Sequence, residues 1–417
     1  MARKLDVYLH HHLVGRLVQD KHGQTVFDYA ESWQENPAAI ALSHSLPLTK
    51  RHFSRRECQG FFAGILPDEN KREIIARNLG ISAKNDFAML EQIGGECAGA
   101  VTFIPEGQRL PEREDKFRSL SHGELAEILR TLPRRPLLAG EEGIRLSLAG
   151  AQDKIAVHVS GNRISIPLGG APSTHILKPA IERFEGLVFN EALCMTLARA
   201  VGMSAAKVAT GSVEGIDYLL VERYDRTVSR DIAGGLPHLA RVHQEDFCQA
   251  LGVPPENKYQ NEGGPSLKHC FELLRETSSA PVIDLQALLD AVIFNFLIGN
   301  NDAHGKNFSF LYELTGQPTR LAPLYDLIST IHYPDLSKTM AMKIGGEYAS
   351  DRILPKHFEQ LAEEAGLAKA LVRRRVPELA EAIMSKLPSV TPEHPIAIEV
   401  AKLIRGRCER AKEKFKT

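Results

Sequence analysis

Two carboxylates and an amide lie within one short stretch of this chain, and oxygen donors of that kind serve phosphoryl transfer. GNNDAHGKNFSFLY (299–312) carries Asp302 and Asn307, and RLAPLYD (320–326) ends on Asp326. In such chemistry one carboxylate takes or orients the proton of an attacking hydroxyl. An amide oxygen and a second carboxylate hold magnesium against the phosphates, an ion that takes oxygen ligands and often only one or two carboxylates. Asp302, Asn307 and Asp326 are therefore the candidates for these roles. The plain alternative makes Asp302 and Asn307 turn residues and Asp326 a helix cap for LIST. Asp302 with His304 could instead form the metal pair of a phosphoesterase. Lys306 either neutralises phosphate charge or is simply solvated.

The elements that must position these groups are legible as patterns. Leu285, Leu288, Leu289, Val292, Ile293, Phe296 and Leu297 recur at helical spacing, with Asp284 as expected N-cap and Gly299 as stop. FSFLY, the turn ELTGQPT and RLAPLYD then read as a hairpin that gathers its two ends. The spacing from Asp302 to Asn307 matches the protein-kinase catalytic loop. A kinase also needs a cation on the nucleotide phosphates. Lys178 closes the strand THILKP, and the next helix, from about 187 to 201, carries Glu191. That order resembles the strand lysine and helix glutamate of kinases. In RLSLAGAQDK (145–154), Ser147, Ala149, Gly150 and Ala151 would let backbone N–H groups approach phosphate, although the run could be only a turn. LLVERYDR (219–226) suits an adenine-binding hinge with Tyr224 against the base, or else an edge strand with a surface ion pair.

Strand patterns over residues 4–19 and 24–29 suggest a meander, and KIAVHV, RISI, HILK and DYLLVE suggest further strands. EIIARNLG and GELAEILRTL read as helices, and residues 104–118 as a polar linker. Helical patterns dominate after Arg226. The expected fold class is α+β: a bilobal, protein-kinase-like fold with a strand-containing N-terminal half and a mostly α-helical C-terminal lobe. The expected divisions are an N-terminal α/β subdomain (1–106), a nucleotide-binding β-rich region (107–225) and a helical lobe with the catalytic loop (226–417). With 417 residues, 43% hydrophobic, 25% charged and a formal net charge of −1, the chain is not a general polyanion binder. Its six cysteines form no CxxC pair, which argues against a zinc site or disulfide framework. No signal peptide or membrane-length apolar run is evident, so a cytoplasmic protein is expected. His10, His11 and His12 read as a strand end rather than a metal tract.

SLAGAQDK, HILKP, VERYDR, QEDFCQALG with KYQNEGGP, GNNDAHGKNFSF and LAPLYDLIS occur in this order. Together with LSHSLPL and FFAGILPDE near the N-terminus, they resemble the HipA family of serine/threonine kinase toxins from type II toxin–antitoxin systems. The resemblance implies ATP and Mg2+ as cofactors, Asp302 as base, and Asn307 and Asp326 on the metal. It places Lys178 on the ATP phosphates and residues 147–152, including Gln152, in the phosphate-binding loop. Glu222 and Tyr224 would flank the adenine, and His304 and Tyr325 would line the site. Ser147 matches the family's autophosphorylated serine. Implied partners are a HipB-like helix-turn-helix antitoxin, operator DNA through the antitoxin complex, and a protein substrate in translation such as an aminoacyl-tRNA synthetase, with no membrane. The rival reading is a catalytically silent corepressor scaffold.

Overall fold

The computed structural model describes residues 2–111, 116–229, 238–312 and 319–416. Alternating apolar residues at the N-terminus form an antiparallel meander of β1 (Arg3–Leu9), β2 (His12–Gln19) and β3 (Thr25–Tyr29). The run over 4–19 is thus a hairpin, turned at His10 with φ 56°, which puts the histidine tract at a strand end. Strands β4 (His52–Phe53) and β5 (Val101–Pro105) complete a sheet of order β4-β3-β2-β1-β5. Leu5, Val7 and Leu9 face inward at period two and meet Phe61, Phe62 and Phe87 from the covering helices Arg55–Gly64 and Asp86–Ile93.

A second, six-stranded sheet follows: β6 (Lys116–Ser119), β7 (Ile155–Ser160), β8 (Arg163–Leu168), β9 (His175–Pro179), β10 (Val208–Val213) and β11 (Ile216–Glu222). Its order is β10-β11-β9-β7-β8-β6. Two expectations change here. The linker's last residues are an edge strand, since Lys116, Phe117 and Arg118 pair with Leu168, Pro167 and Ile166. Strand β10 escapes sequence reading because most of its side chains are not buried, leaving no clean alternation.

The C-terminal half is built on the helix Pro281–Ile298, packed by the helices Leu267–Thr277, Lys369–Val390 and Pro395–Lys414. It begins earlier than expected. Pro281 takes the first helical position, where a missing N–H costs nothing, and Ala280, not Asp284, is the N-cap. Asp284 instead lies buried in the first turn, accepting from Ser278 Oγ (2.6 Å), Arg320 (2.8 Å) and the Leu321 N–H (3.0 Å). It thereby pins the second strand of the hairpin, in which Ser309–Tyr312 pairs with Thr319–Leu321. Residues 313–318 of the expected turn ELTGQPT lie outside the described residues. The second strand stops at Leu321, so Asp326 lies beyond it; no α-helix follows for it to cap, only the short 3-10 turn Thr330–His332. Pro281–Ile298 also corrects the expectation that no stretch is membrane-length: its mean hydropathy is 1.7 over 18 residues, but 67% of it is buried inside the protein.

The N-terminal domain docks onto the rest through buried polar contacts. Glu245 accepts from Ser43 Oγ (2.5 Å), the His44 N–H (2.8 Å) and Tyr312. Gly60 allows a close approach, because a Cβ there would come within 2.4 Å of Gly252 backbone. Glu96 receives Arg223 (3.1 Å) and Arg226 (2.5 Å), while Asp225 receives both arginines and the Gly99 N–H (2.7 Å). Burial works against the Glu96 charge, but the arginines outweigh it and hold its carboxyl down at about 2. A Glu96→Ala variant leaves buried guanidinium charge undercompensated and is expected to lose about 3–5 kcal/mol of stability in denaturant unfolding. A loss below about 1 kcal/mol would show that the network holds nothing together.

Candidate active site

Lys178 is the penultimate residue of β9, in register with Leu219 of β11. Its ammonium is buried, with 5% of the side chain exposed, and a buried ammonium must be paired. One partner is Glu191 on the helix Leu187–Ala200, with Nζ to Oε1 at 2.6 Å; the other is Asp326. Burial disfavours the Lys178 charge, yet Asp326 and Glu191 together raise its pKa. Burial likewise opposes ionisation of Asp326, but Lys178 and then Lys154 pull it down to about 2. Glu191 moves upward, burial outweighing Lys178. The two carboxylates differ in access: 5% of the Glu191 side chain is exposed and 41% of Asp326. Asp326 adopts φ 53°, a left-handed conformation that costs a non-glycine residue about 1–2 kcal/mol.

The catalytic-loop candidate leaves the central helix at Gly299, whose φ of 73° ends it. Asn300 then ties the segment down, its Nδ2 donating to Asn295 Oδ1 (2.8 Å) and its Oδ1 accepting from the Asp302 N–H (3.1 Å). Asp302 lies at the surface, where Tyr259 Oη donates to its Oδ1 at 2.9 Å. Asn307 Oδ1 accepts from the His304 N–H at 3.1 Å, closing the short turn Gly305–Asn307. His304 is buried, its ring edge-on to Tyr259 with centroids 5.4 Å apart. Burial, then Lys258 and Lys306, lower its pKa from 6.5 to about 3, so the imidazole is neutral; its Nδ1 is buried without a hydrogen-bond partner. Tyr325 Oη donates to the Lys306 carbonyl (2.7 Å) and contacts Ser309 Oγ (2.6 Å). Asn300 Nδ2 lies 3.5 Å from the Asp326 carbonyl. These bonds bring the Asp326 segment against the catalytic loop. Lys306 is not solvated: it is buried and donates to Asp68 Oδ1 at 2.8 Å.

The segment 147–154 is a loop with no strand before it, since Leu146 makes only a single bridge to Glu96. Ser147 is fully buried. Its N–H donates to the Glu96 carbonyl and its Oγ to the Ile65 carbonyl, both at 2.9 Å. Its hydroxyl is thus committed to the N-terminal domain, not to the space before Lys178. Ala149, Gly150, Ala151 and Gln152 are half-buried, and Gly150 has φ 105°. Lys154 Nζ donates to the Ala149 carbonyl at 2.5 Å. Its pKa falls to about 8, chiefly through burial, with Asp326 opposing and Lys178 adding to the fall. In the sequence Lys154 shows only as the start of a strand, KIAVHV. Asp68 and Tyr259 likewise carry no signal of their own, although all three lie inside the motifs quoted above.

At the hinge candidate, Glu222 pairs with Lys207 at 3.1 Å on the surface, and its N–H donates to the Lys207 carbonyl. The Tyr224 ring lies 5.8 Å from that of Tyr325, and its Oη donates to Gln244 Oε1 at 2.5 Å. The edge-strand alternative holds only for the Lys207 pair: β11 is flanked by β9 and β10, and Arg223, Asp225 and Arg226 are buried.

Among the described residues no three His, Cys, Asp or Glu side chains gather as a metal cluster, so the phosphoesterase reading of Asp302 and His304 gains no support. Asp326 and Asn307 are the hard oxygen donors that fit magnesium, which needs few protein ligands.

Two family models and several known proteins match this chain. Residues 5–104 match the family model of the HipA N-terminal domain, and residues 146–387 that of the HipA-like C-terminal domain. A Sinorhizobium fredii protein named as a kinase, Y4mE, is 48% identical over 91% of this chain and 90% of its own. The serine/threonine-protein kinase toxin HipA of Shewanella oneidensis is 31% identical over 97% of this chain and 95% of its own. The solved Shewanella complex of HipA, HipB and operator DNA superposes with a TM-score of 0.84, at 29% identity and 97% coverage of both chains.

The neutral His304 gives a pH signature. Its folded-state pKa lies below the ordinary 6.5, so its contribution is complete above pH 6.5 and is lost as pH falls towards about 3. In urea unfolding between pH 7 and pH 4, His304→Gln is expected to lose stability less steeply than the parent chain. Parallel pH dependences would contradict a buried neutral imidazole.

Proposed function

The chain belongs to the HipA family of serine/threonine kinase toxins, and from that premise we propose that it transfers the γ-phosphoryl group of ATP to a serine hydroxyl of a protein. The observation that carries this reading is the buried Lys178 held between Glu191 and Asp326. Phosphoryl transfer asks little covalent chemistry of a protein; it needs position and compensation of developing charge. Lys178, rigidly held by Glu191, presents a cation that remains charged at neutral pH, where it meets the phosphates. Asp302 lies at the surface, accessible to an incoming hydroxyl, and accepts its proton. The 2.9 Å bond from Tyr259 fixes the carboxylate that does so. Neutral His304 adds no charge beside Lys258 and Lys306. Asn307 and Asp326 would hold magnesium, which would supply compensation for the charge on the phosphates. Tyr224 and Glu222 flank the adenine, Tyr325 lines the site, and backbone from Ala149 to Gln152 meets the phosphates.

The finer reading follows the relatives. We propose that this chain pairs with a HipB-like antitoxin, binds operator DNA through that complex as a corepressor, and acts in the cytoplasm on a translation component such as an aminoacyl-tRNA synthetase. We also propose autophosphorylation on Ser147. A phosphoserine carries nearly two negative charges and three acceptor oxygens, which could not occupy the buried site against Ile65. The phosphorylated loop would therefore be expelled, silencing the kinase.

The test is transfer from labelled ATP with magnesium. Asp302→Asn is expected to reduce labelling by at least about 100-fold, the usual range for losing a general base, with its unfolding transition unchanged. Ser147→Ala is expected to remove the autophosphate while keeping ATP binding, read by mass spectrometry. Undiminished labelling in Asp302→Asn would refute the base assignment. A parent protein that never labels itself or any lysate protein, yet binds antitoxin, would leave the corepressor scaffold as the better reading.

A further inference from the structure

Residues 65–71 of the N-terminal domain touch both loops of the candidate site. The carbonyl of Ile65 accepts Ser147 Oγ at 2.9 Å, and Pro67 forms a bridge with Gly150. The Asp68 N–H donates to the Gly150 carbonyl at 3.3 Å, and Lys71 Nζ donates to Asp153 at 2.6 Å. These contacts hold the loop 147–154. The Asp68 carboxylate reaches the other way: Oδ1 accepts Lys306 Nζ at 2.8 Å, and Oδ2 lies 3.6 Å from Lys258 Nζ. Its side chain is 5% exposed, and so is that of Lys306. These lysines flank the base. Lys306 lies between Asp302 and Asn307, while Lys258 precedes Tyr259, whose hydroxyl holds Asp302.

We infer that Asp68 is a positioning residue of the kinase, an anchor outside the catalytic lobe that fixes the two loops around Asp302. The N-terminal domain is then a working part of the active site as well as a docking platform. The inference rests on the phosphotransfer reading above. A carboxylate that only filled space could be exchanged for its amide at little cost. An anchor that works through charge cannot, because its loss takes the buried counter-charge from Lys306 and weakens the hold on Lys258. With less counter-charge beside them the lysines attract the anionic nucleotide more strongly while the base loses its position, so kcat and the KM for ATP should both fall.

The experiment measures kcat and the KM for ATP in the full-length chain for Asp68→Asn, Asp68→Glu, Lys306→Met and the double variant Asp68→Asn with Lys306→Met. Asp302→Asn runs alongside. Asp68→Asn is expected to lower kcat about tenfold, as a displaced catalytic loop would, and to lower KM about threefold because the lysines lose their counter-charge. Asp68→Glu keeps the charge and should recover most of the kcat. Adding Asp68→Asn to Lys306→Met should slow the enzyme by less than Asp68→Asn slows the parent chain, since the link to Lys306 is already broken. If Asp68→Asn does not fold, the double variant against Lys306→Met alone decides the matter. An unchanged kcat in folded Asp68→Asn, or losses that multiply in the double variant, would overturn the assignment. Full activity in Asp302→Asn would instead refute the base assignment and leave these comparisons to stand or fall by themselves.

Discussion

A single buried ammonium sets the terms for the active centre. Lys178 can sit in the sheet only if carboxylates come to it, because an unpaired buried charge costs several kcal/mol. One carboxylate arrives from the adjoining helix and the other from a segment 148 positions further on. Folding the near half and the far half against each other is therefore built into the electrostatics of one side chain. The two partners are not equivalent. Glu191 is sealed in, whereas Asp326 keeps a half-open carboxylate. The sealed pair fixes the lysine, and the open one keeps one side of its carboxylate towards solvent.

The same principle recurs at the domain boundary. Glu96, Asp225, Glu245 and Asp68 are buried acids, each with at least one donor from a distant part of the chain. Buried charge stabilises less than apolar packing of the same volume would, but it is unforgiving of misplacement. A boundary built this way favours one relative arrangement of the domains over many near neighbours. Glu245 shows the cost: burial pushes it up to about 7 despite donors from Ser43, Tyr312 and the His44 backbone.

What was legible in the sequence was mostly local. Lys178 and Glu191 announce themselves because a strand, a short turn and a helix follow in order. The central helix is clear from its apolar period, and the loop after it from Gly299. Asp284 misled because it looked like a cap, while Pro281 starts the helix and the aspartate serves the strand at Arg320 and Leu321. Asp326 was placed correctly in order but wrongly in setting: it follows no strand directly and begins no α-helix. Ser147 sits in a loop that the sequence marks by its small residues, but its hydroxyl faces Ile65, a contact spanning 82 positions that no spacing rule could reveal. Asp68 and Lys306 are 238 positions apart. Such pairs exist only after the chain has closed, so each residue alone reads as an ordinary surface charge.

The burial of Ser147 has a consequence for timing. A hydroxyl with no solvent exposure reacts only in those moments when its loop has swung out. The pace of any chemistry there is then the intrinsic rate scaled by the fraction of time the loop spends outside. Every bond that holds the loop against residues 65–71 lengthens that wait. Such a loop would act as a delay element, its fuse set by a handful of contacts to residues 65–71 together with the reactivity of the serine itself.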